Sequence, residues 1–216
     1  LRDPQGGINV FNGEIYNASS LAPTVDGTWK APGFSDGRIL AGLLSQGGLE
    51  ALNKTRGPFA IARFTPADGK LLLVRDAVGK KPLYLKKNKS GWVFASTIAA
   101  LKAATGSLRQ RDQAIIEYLI YRSVGGYSSA FEDVTQVPAG GWVELSIDGT
   151  IRQGRWWKAP EYCSATDTNK DDLRALLSEA IQLPHEIERP DTIFLSGGQT
   201  SSNVAETLAD ARPNSN

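Results

Sequence analysis

The sequence contains no methionine, one cysteine and one histidine. A single cysteine excludes an internal disulfide, and one histidine with one cysteine gives no metal cluster of recognisable spacing. Because translation starts at methionine, a chain that begins at Leu1 and has none is expected to be a segment of a longer polypeptide. Its first residues, LRDPQGG, lack the basic flank and the apolar core of a signal peptide.

Long hydrophobic runs and an excess of one charge are also missing. No apolar run approaches the roughly 20 residues that span a bilayer. Lysine and arginine number 24 against 23 aspartates and glutamates, so electrostatics give no reason to expect a nucleic acid or a membrane partner. The remaining composition suits a soluble globular protein, and the single cysteine fits a reducing cytoplasm.

Hydrophobic patterns predict a hairpin-rich first part of the chain. Helices are predicted at 36–47 and 112–121, where apolar residues recur on one face, and the Ser-, Pro- and Gly-rich stretch 18–33 is predicted to be a loop. Three hairpins are predicted, joining 59–64 to 71–75, 83–86 to 92–95, and 142–147 to 151–157. Together these elements indicate a mostly antiparallel α+β domain.

The pattern changes after residue 157. The polar stretch 158–170 predicts a linker, and apolar residues from Leu173 to Ile181 then recur at the spacing of an amphipathic helix. A short buried-type strand is predicted at 192–195, followed by a glycine-rich loop and a second helix. Strand, loop and helix in this order open an α/β domain.

The stretch FNGEIYN, residues 11–17, is the first candidate for chemistry. Asn12 and Gly13 follow an apolar run and both tolerate a positive φ, so a sharp reversal is predicted there. Such a reversal would expose backbone N–H groups and an amide, the donors that stabilise an oxyanion. For the heptapeptide taken alone, an ordinary tight turn is the favoured interpretation.

The loop SGGQTSS, residues 196–202, is the second candidate. Gly197 and Gly198 let a ligand approach the backbone, and Ser201 and Ser202 lie where a helix begins, which favours an anion such as phosphate. The loop lacks the lysine of a Walker A motif. A plain Gly-Gly connection with a serine N-cap is the alternative.

Other polar residues have structural interpretations. Ser35 or Asp36 could cap the helix that follows, although Asp36 could also receive a substrate ammonium group. The stretch RDAVGKKPLY, residues 75–84, is interpreted as an Arg–Asp pair and a turn, with phosphate binding by its lysines as the weaker alternative. Cys163 and His185 lie in polar connections, and neither has a partner that would activate it.

These stretches together resemble the asparagine synthetase family, which joins a class II glutamine amidotransferase domain to an ATP-pyrophosphatase synthetase domain. The matching stretches occur in the family's order and span nearly the whole chain. They are FNGEIYN at 11–17, SDG at 35–37, GPFAIA at 57–62, RDAVGKKPLY at 75–84, FAST at 94–97, VPAGGW at 137–142, RWW at 155–157 and LSGGQTSS at 195–202.

The resemblance implies an N-terminal-nucleophile-type amidotransferase fold over residues 1–160, a linker over 161–170, and the beginning of an ATP-binding domain over 171–216. Asn12 and Gly13 are implied to form an oxyanion hole, Asn12, Gly13 and Glu14 a wall of the glutamine pocket, and Asp36 the partner of glutamine's amino group. The residues implied to hold ATP are Leu195, Ser196, Gly197, Gly198, Ser201 and Ser202.

The resemblance also implies a reaction for the parent enzyme. Glutamine is hydrolysed, and the ammonia passes to an ATP-activated β-aspartyl-adenylate, giving asparagine, AMP and pyrophosphate with the help of Mg²⁺. The implied substrates are glutamine, ATP and aspartate, the implied location is the cytoplasm, and a homodimer is a compatible assembly.

Five departures bear on activity. The family's nucleophilic cysteine and glutamine-clamping arginine precede FNGEIYN, so neither is expected in a chain that begins at Leu1, and the segment alone is expected to be inactive. Arg38 stands where the family has glutamate, reversing a charge beside Asp36, and Thr97 also replaces a glutamate. Thr200 replaces the aspartate that helps to hold Mg²⁺, and a hydroxyl is a poorer ligand than a carboxylate.

Two alternatives stay open at this point. Relatives such as the β-lactam synthetases keep the fold without the nucleophilic cysteine and close an amide ring with ATP, although the intact FNGE element and Asp36 argue against that interpretation. Thr200, Arg38 and Thr97 motivate the second alternative, a non-catalytic paralogue.

Overall fold

The computed structural model of the chain describes residues 1–3, 5–25, 35–89, 91–161, 170–183 and 193–211. The chain divides into two compact units, Leu1–Ala159 and Pro160–Asn216. The strands of the first unit are β1 (Ile8–Gly13), β2 (Phe59–Thr65), β3 (Lys70–Arg75), β4 (Tyr84–Asn88), β5 (Gly91–Ala95), β6 (Val134–Gln136), β7 (Gly141–Ser146) and β8 (Ile151–Arg155). Its helices are α1 (Ala18–Leu21), α2 (Asp36–Gly47), α3 (Ile98–Thr105) and α4 (Asp112–Tyr121), with 3₁₀ turns at Ala22–Thr24 and Gly48–Lys54.

The strands form two antiparallel sheets. The larger has the order β1-β2-β3-β7-β8, and the smaller has the order β5-β4-β6. All three predicted hairpins are present, as the pairs β2–β3, β4–β5 and β7–β8. The prediction of antiparallel sheets in a mixed α/β unit is therefore confirmed.

The larger sheet is covered on both faces, because alternate side chains of a strand point to opposite sides. Phe59 and Ile61 of β2 pack in a cluster with Ile39 and Leu40 of α2. Their neighbours on β2, Ala60 and Ala62, belong to a second cluster that includes Leu83 and Leu85 beside the smaller sheet. The first unit is thus a helix layer, a five-stranded sheet and a three-stranded sheet.

Helix α2 forms where the sequence predicts it. The side chains of Ile39, Leu40, Leu43 and Leu44 are all buried. The helix ends where Gly48 takes a φ of 60°, a conformation that glycine adopts without a steric penalty.

The predicted reversal at Asn12-Gly13 is wrong. Both residues remain in β1, where Asn12 pairs with Ala60 and Gly13 pairs with Phe59. Pairing with β2 overrides the local turn preference of an Asn-Gly dipeptide, and the chain turns later, at Tyr16 and Asn17.

The predicted loop 18–33 is partly wrong as well. Residues 18–21 form α1, with Ala18 and Leu21 buried in the helix-side cluster. Burial of these two side chains stabilises a turn of helix in a stretch whose composition favours a loop. Residues 26–33 lie outside the described residues.

The second unit contains α5 (Lys170–Gln182) and α6 (Gln199–Ala211), which confirms both predicted helices. The predicted strand at 192–195 is not confirmed, since its described residues, 193–195, have no strand pairing. A strand needs a hydrogen-bonded neighbour, and no described strand lies in this unit. Within the part of the chain that the structure describes, no helix has the length and apolarity to cross a membrane.

Candidate functional site

The end of β1 lies unusually close to the segment before β2. Glu14 N–H donates to the Pro58 carbonyl at 2.9 Å, and Tyr16 N–H donates to the Arg56 carbonyl at 2.8 Å. Gly13 has a φ of 149°, and a Cβ on it would lie 2.2 Å from the Pro58 carbonyl oxygen. Glycine is therefore required at residue 13, which is one of the two predicted oxyanion-hole residues.

The direction of the Gly13 N–H follows from the strand geometry. Successive N–H groups of a strand point to opposite edges. Because Glu14 N–H points toward the β2 side, Gly13 N–H points to the outer edge of β1. Asn9 N–H points the same way and donates to the Leu1 carbonyl at 2.7 Å. No described strand pairs with this edge beside Gly13, so the N–H of Gly13 faces an open position.

Asp36 is held against the same end of β1. Its Oδ2 accepts the Ile15 N–H at 2.7 Å, which joins the first turn of α2 to the FNGEIYN stretch. Neither Ser35 nor Asp36 makes the predicted side-chain cap of α2, because the Asp36 carboxylate is engaged by this tertiary contact.

Gly13 and Asp36 share one cleft. The cleft has a volume of about 520 Å³ and is also lined by Phe11, Ser35 and Gly37. The structure thus brings together two of the four predicted glutamine-site residues. Glu14 is exposed next to them, and its side chain is not among the cleft-lining groups.

The Asn12 side chain is not among the groups that line this cleft; it lies beside the cleft, on the face of β1 toward the smaller sheet. It lines a smaller cavity of about 160 Å³ with Phe94 and Ser96 at the end of β5. Asn12 Nδ2 donates to Ser96 Oγ at 3.2 Å. An amide nitrogen has two hydrogens, so one remains for a ligand at the end of β1.

Ser96 was not predicted as a site residue. Its position in the FAST stretch carries the resemblance, but that stretch gives no sign of a contact with a residue 84 positions earlier in the chain. The neighbouring Thr97 has a structural role, since its hydroxyl accepts the Ala100 N–H at 3.3 Å and caps α3. Arg38, the other departure in this part of the chain, is half-exposed on α2, two residues after Asp36.

The stretch RDAVGKKPLY is structural, but its Arg and Asp bind the backbone instead of each other. The Arg75 guanidinium donates to the carbonyls of Lys81, Val137 and Gly79. Burial lowers the pKa of Arg75. The Asp76 carboxylate accepts the N–H groups of Lys80 and Lys81, both at 2.9 Å.

The glycine-rich loop of the second unit forms a compact turn before α6. Gly198 N–H donates to Ser196 Oγ at 3.4 Å, and the hydroxyls of Ser196 and Ser201 lie 3.0 Å apart. The hydroxyls of Ser201 and Ser202 both donate to the Gly198 carbonyl. Gly197, with a φ of 78°, supplies the sharp turn, and Leu195 precedes the loop as an exposed side chain.

Thr200 lies in the first turn of α6. Within the described ranges, no group of three or more His, Cys, Asp or Glu side chains could hold a metal ion. Cys163 and His185 lie outside the described residues.

Comparisons with known proteins show the family to which the first unit belongs. A family model described as a glutamine amidotransferase domain matches residues 3–157. Asparagine synthetase [glutamine-hydrolyzing] 1 of Bacillus subtilis is 28% identical over 211 residues, covering 94% of this chain and 33% of the relative. Asparagine synthetase B of Escherichia coli is 26% identical, covering 92% and 31%. The protein named amidase chry2 of Gibberella zeae is also 26% identical, covering 95% and 31%.

Among solved structures, glutamine phosphoribosylpyrophosphate amidotransferase from B. subtilis superposes with a TM-score of 0.51 at 17% identity, covering 99% of this chain and 46% of that one. This likeness supports the fold. The chain spans about a third of the length of the curated relatives it matches. Because the family model matches most of the first unit, the chain belongs to the family of class II glutamine amidotransferase domains and is homologous to glutamine-hydrolysing asparagine synthetases.

Proposed function

We propose that the end of β1 binds glutamine, with the amino group at Asp36 and the side-chain carboxamide at Gly13 and Asn12. The observation that carries this proposal is the hydrogen bond from Ile15 N–H to Asp36 Oδ2, which fixes a carboxylate beside Gly13 in one cleft. A carboxylate and an ammonium group form a charge-assisted pair. Glu14 is exposed next to this cleft, and we propose that it completes the wall when glutamine is bound.

The two amide donors suit the chemistry of an acyl group. The outward N–H of Gly13 and the free hydrogen of Asn12 Nδ2 would face the carbonyl oxygen of glutamine from consecutive residues. Preorganised donors of this kind stabilise the oxyanion that develops during amide hydrolysis. The chain's own contribution is therefore to bind and orient glutamine and to stabilise negative charge. The only cysteine, Cys163, follows a polar stretch far from this site in sequence, so we expect this chain to bind glutamine without hydrolysing it.

The wider activity is proposed for the parent protein. We propose that it is an asparagine synthetase-like ligase that couples glutamine hydrolysis to the ATP-dependent amidation of aspartate in the cytoplasm, and the names of its relatives support this proposal. The loop 196–202 fits the phosphates of ATP, because hydroxyls and the N-terminal N–H groups of α6 converge there. The described loop does not fit Mg²⁺, since Thr200 supplies a neutral hydroxyl where a carboxylate is needed, and no step through the metal is assigned to it.

The proposal is tested by calorimetric titration of the chain with L-glutamine. We expect saturable binding that the Asp36→Asn substitution weakens about tenfold or more, because a charged hydrogen bond contributes about 1.5–3 kcal/mol. The asparagine oxygen can still accept the Ile15 N–H, so the fold should persist. Asp68→Asn, which makes the same charge change in the exposed β2–β3 turn, should leave the affinity unchanged.

A second ligand isolates the contact with the amino group. Glutaramate is glutamine without that group, and the Asp36→Asn substitution should leave its affinity unchanged. Equal losses for both ligands would show that Asp36 acts on the pocket in general. Absence of glutamine binding by the unmodified chain would refute the proposal.

A further inference from the structure

The first unit contains another cavity, of about 310 Å³, beside the segment that precedes β2. We call it the Trp156 cavity, and its lining includes Tyr16, Arg56, Phe59, Asp76, Lys80 and Trp156. It shares no described lining residue with the cleft of Gly13 and Asp36. Small-molecule pockets in proteins measure about 300–1,000 Å³, and a water molecule takes up about 30 Å³. The Trp156 cavity therefore has room for a compound of roughly ten non-hydrogen atoms.

Aromatic side chains supply much of the lining. Trp156 is half-buried and stacks on Phe59, with ring centroids 5.9 Å apart and planes inclined by 27°. Its Nε1 donates to the Arg75 carbonyl at 2.9 Å, which fixes the position of the indole. Tyr16, also half-buried, adds a third ring. Because aromatic rings attract further rings in offset or edge-to-face arrangements, this lining favours a flat aromatic ligand.

The charges of the lining favour an anion. Arg56 and Lys80 are both exposed residues of this lining, and Lys80 forms no ion pair within the described ranges. Among the described residues that line the cavity, Asp76 supplies the one carboxylate. Asp76 is 1% exposed and already accepts the N–H groups of Lys80 and Lys81. Two cations against one engaged carboxylate leave the cavity with a net positive charge, which attracts anionic ligands.

We propose that the Trp156 cavity binds a small aromatic carboxylate. The ring of the ligand would lie against Trp156 and Tyr16, and its carboxylate would pair with Lys80 and Arg56. Such a ligand combines ring stacking with a charge-assisted hydrogen bond. Phenylacetate is an aromatic carboxylate of the required size and serves as the probe. This inference is independent of glutamine binding, because the two cavities are separate.

Calorimetric titration of the complete chain with phenylacetate tests the proposal, and we expect saturable binding at one site. Two compounds of similar size separate the two contacts. 2-Phenylethanol keeps the ring without the charge and should bind about tenfold more weakly or worse, because it loses a charged hydrogen bond. Cyclohexylacetate keeps the charge without the flat ring and should bind about threefold more weakly or worse. Equal affinities for all three compounds would overturn the proposal.

Substitutions locate the charged contact. Lys80→Gln should weaken phenylacetate binding about threefold or more and leave the affinity for 2-phenylethanol unchanged. Lys54→Gln is the matched control, because Lys54 is also exposed and does not line the cavity. Val78→Asp puts a negative charge on a lining residue that is 75% exposed, so the fold should persist while phenylacetate binding falls about tenfold or more. Circular dichroism verifies that each variant is folded.

The last measurement shows which cavity the probe occupies. The affinity for phenylacetate should be the same with and without excess L-glutamine, and Asp36→Asn should not change it. Nuclear magnetic resonance should show a shift of the Trp156 indole signal when phenylacetate is added. The proposal is overturned if phenylacetate does not bind, if glutamine displaces it, or if Lys80→Gln and Lys54→Gln change its affinity equally.

Discussion

At the scale of single residues, the site depends on where the Gly13 backbone N–H and the Asn12 side-chain amide point. The sequence indicates that Asn12 and Gly13 carry amide donors, but it does not show that they line two neighbouring cavities at the end of β1. The structure places Gly13 in the cleft with Asp36 and directs the Asn12 amide toward Ser96. That hydrogen bond holds the amide beside Ser96 and leaves the second hydrogen of Asn12 Nδ2 for a ligand.

Ser96→Ala should therefore weaken glutamine binding without unfolding the chain. We expect the dissociation constant to rise about three- to tenfold, since a neutral hydrogen bond contributes about 0.5–1.5 kcal/mol. Calorimetry measures the affinity, and nuclear magnetic resonance should show a shift of the Asn12 side-chain amide signals, which a general loss of stability would not single out. Ser96→Thr, which keeps the hydroxyl, should rescue both.

The adjacent residue provides the control for this prediction. Thr97→Ala removes the cap of α3 and should lower the free energy of unfolding by about 1 kcal/mol. It should leave the affinity for glutamine and the Asn12 signals unchanged. A Ser96→Ala variant that binds like the unmodified chain would contradict a positioning role for Ser96.

At the scale of elements, a buried ion pair organises the turn that leads into β1. Asp3 is buried, with 5% of its surface exposed. Its carboxylate accepts hydrogen bonds from Gly7 N–H at 2.8 Å and from Arg63 Nε at 2.8 Å. It also accepts from the buried Asn9 amide. Burial raises the pKa of Asp3, but the hydrogen bonds from Arg63, Asn9 and Gly7 outweigh it, so the pKa lies below its ordinary value.

This ion pair makes the free energy of unfolding depend on pH in the acidic range. A carboxylate whose pKa is lowered by folding stabilises the protein above its unfolded pKa, and this contribution is lost as the pH falls through the folded value. Asp3→Asn should lower the free energy of unfolding by about 2–3 kcal/mol at pH 7. The difference from the unmodified chain should shrink below about pH 4.

Urea unfolding at a series of pH values measures this difference. Asp68→Asn in the exposed turn is the control for loss of one negative charge, and it should change the stability by less than about 0.5 kcal/mol. A deficit of the Asp3→Asn variant that stays constant down to pH 3 would count against the ion pair as its source.

Sequence patterns predicted those elements whose local and tertiary signals agree. Helix α2 combines an apolar face with a terminal glycine, and Asp68-Gly69 marks the β2–β3 turn. The prediction at Asn12-Gly13 is wrong because pairing with β2, which lies more than 40 residues later, decides the conformation. In α4 the period is correct, but periodicity alone cannot say whether a face meets this unit or another surface.

The sequence predicted which residues lie at the candidate site better than it predicted how they are arranged in space. Gly13 and Asp36 are close because Ile15 N–H reaches a carboxylate 21 residues away, a contact that no local pattern encodes. Ser96 was missed for the same reason. In the second unit, the strand predicted at 192–195 needs a neighbour that the described residues do not supply.

At the scale of the whole molecule, the two units differ in how much apolar surface they bury. The first has clusters on both faces of the larger sheet, including Leu73, which is fully buried. In the described part of the second unit Leu208 is buried, whereas Leu176 and Phe194 are 63% and 93% exposed. A pair of helices with little buried area gains little stability from packing.

The amides of α5 and α6 should therefore exchange with solvent at least about 100-fold faster than those of β2 and β3, because local opening costs less free energy where little surface is buried. Hydrogen–deuterium exchange followed by mass spectrometry measures both units in one sample. Leu208→Ala should accelerate exchange in α5 and α6 only. Leu73→Ala should destabilise the first unit by about 2–5 kcal/mol and accelerate exchange in β2 and β3, with no effect on the two helices. If either variant accelerated exchange equally in both units, the chain would unfold as one cooperative body, and the difference in buried surface would not govern its local stability.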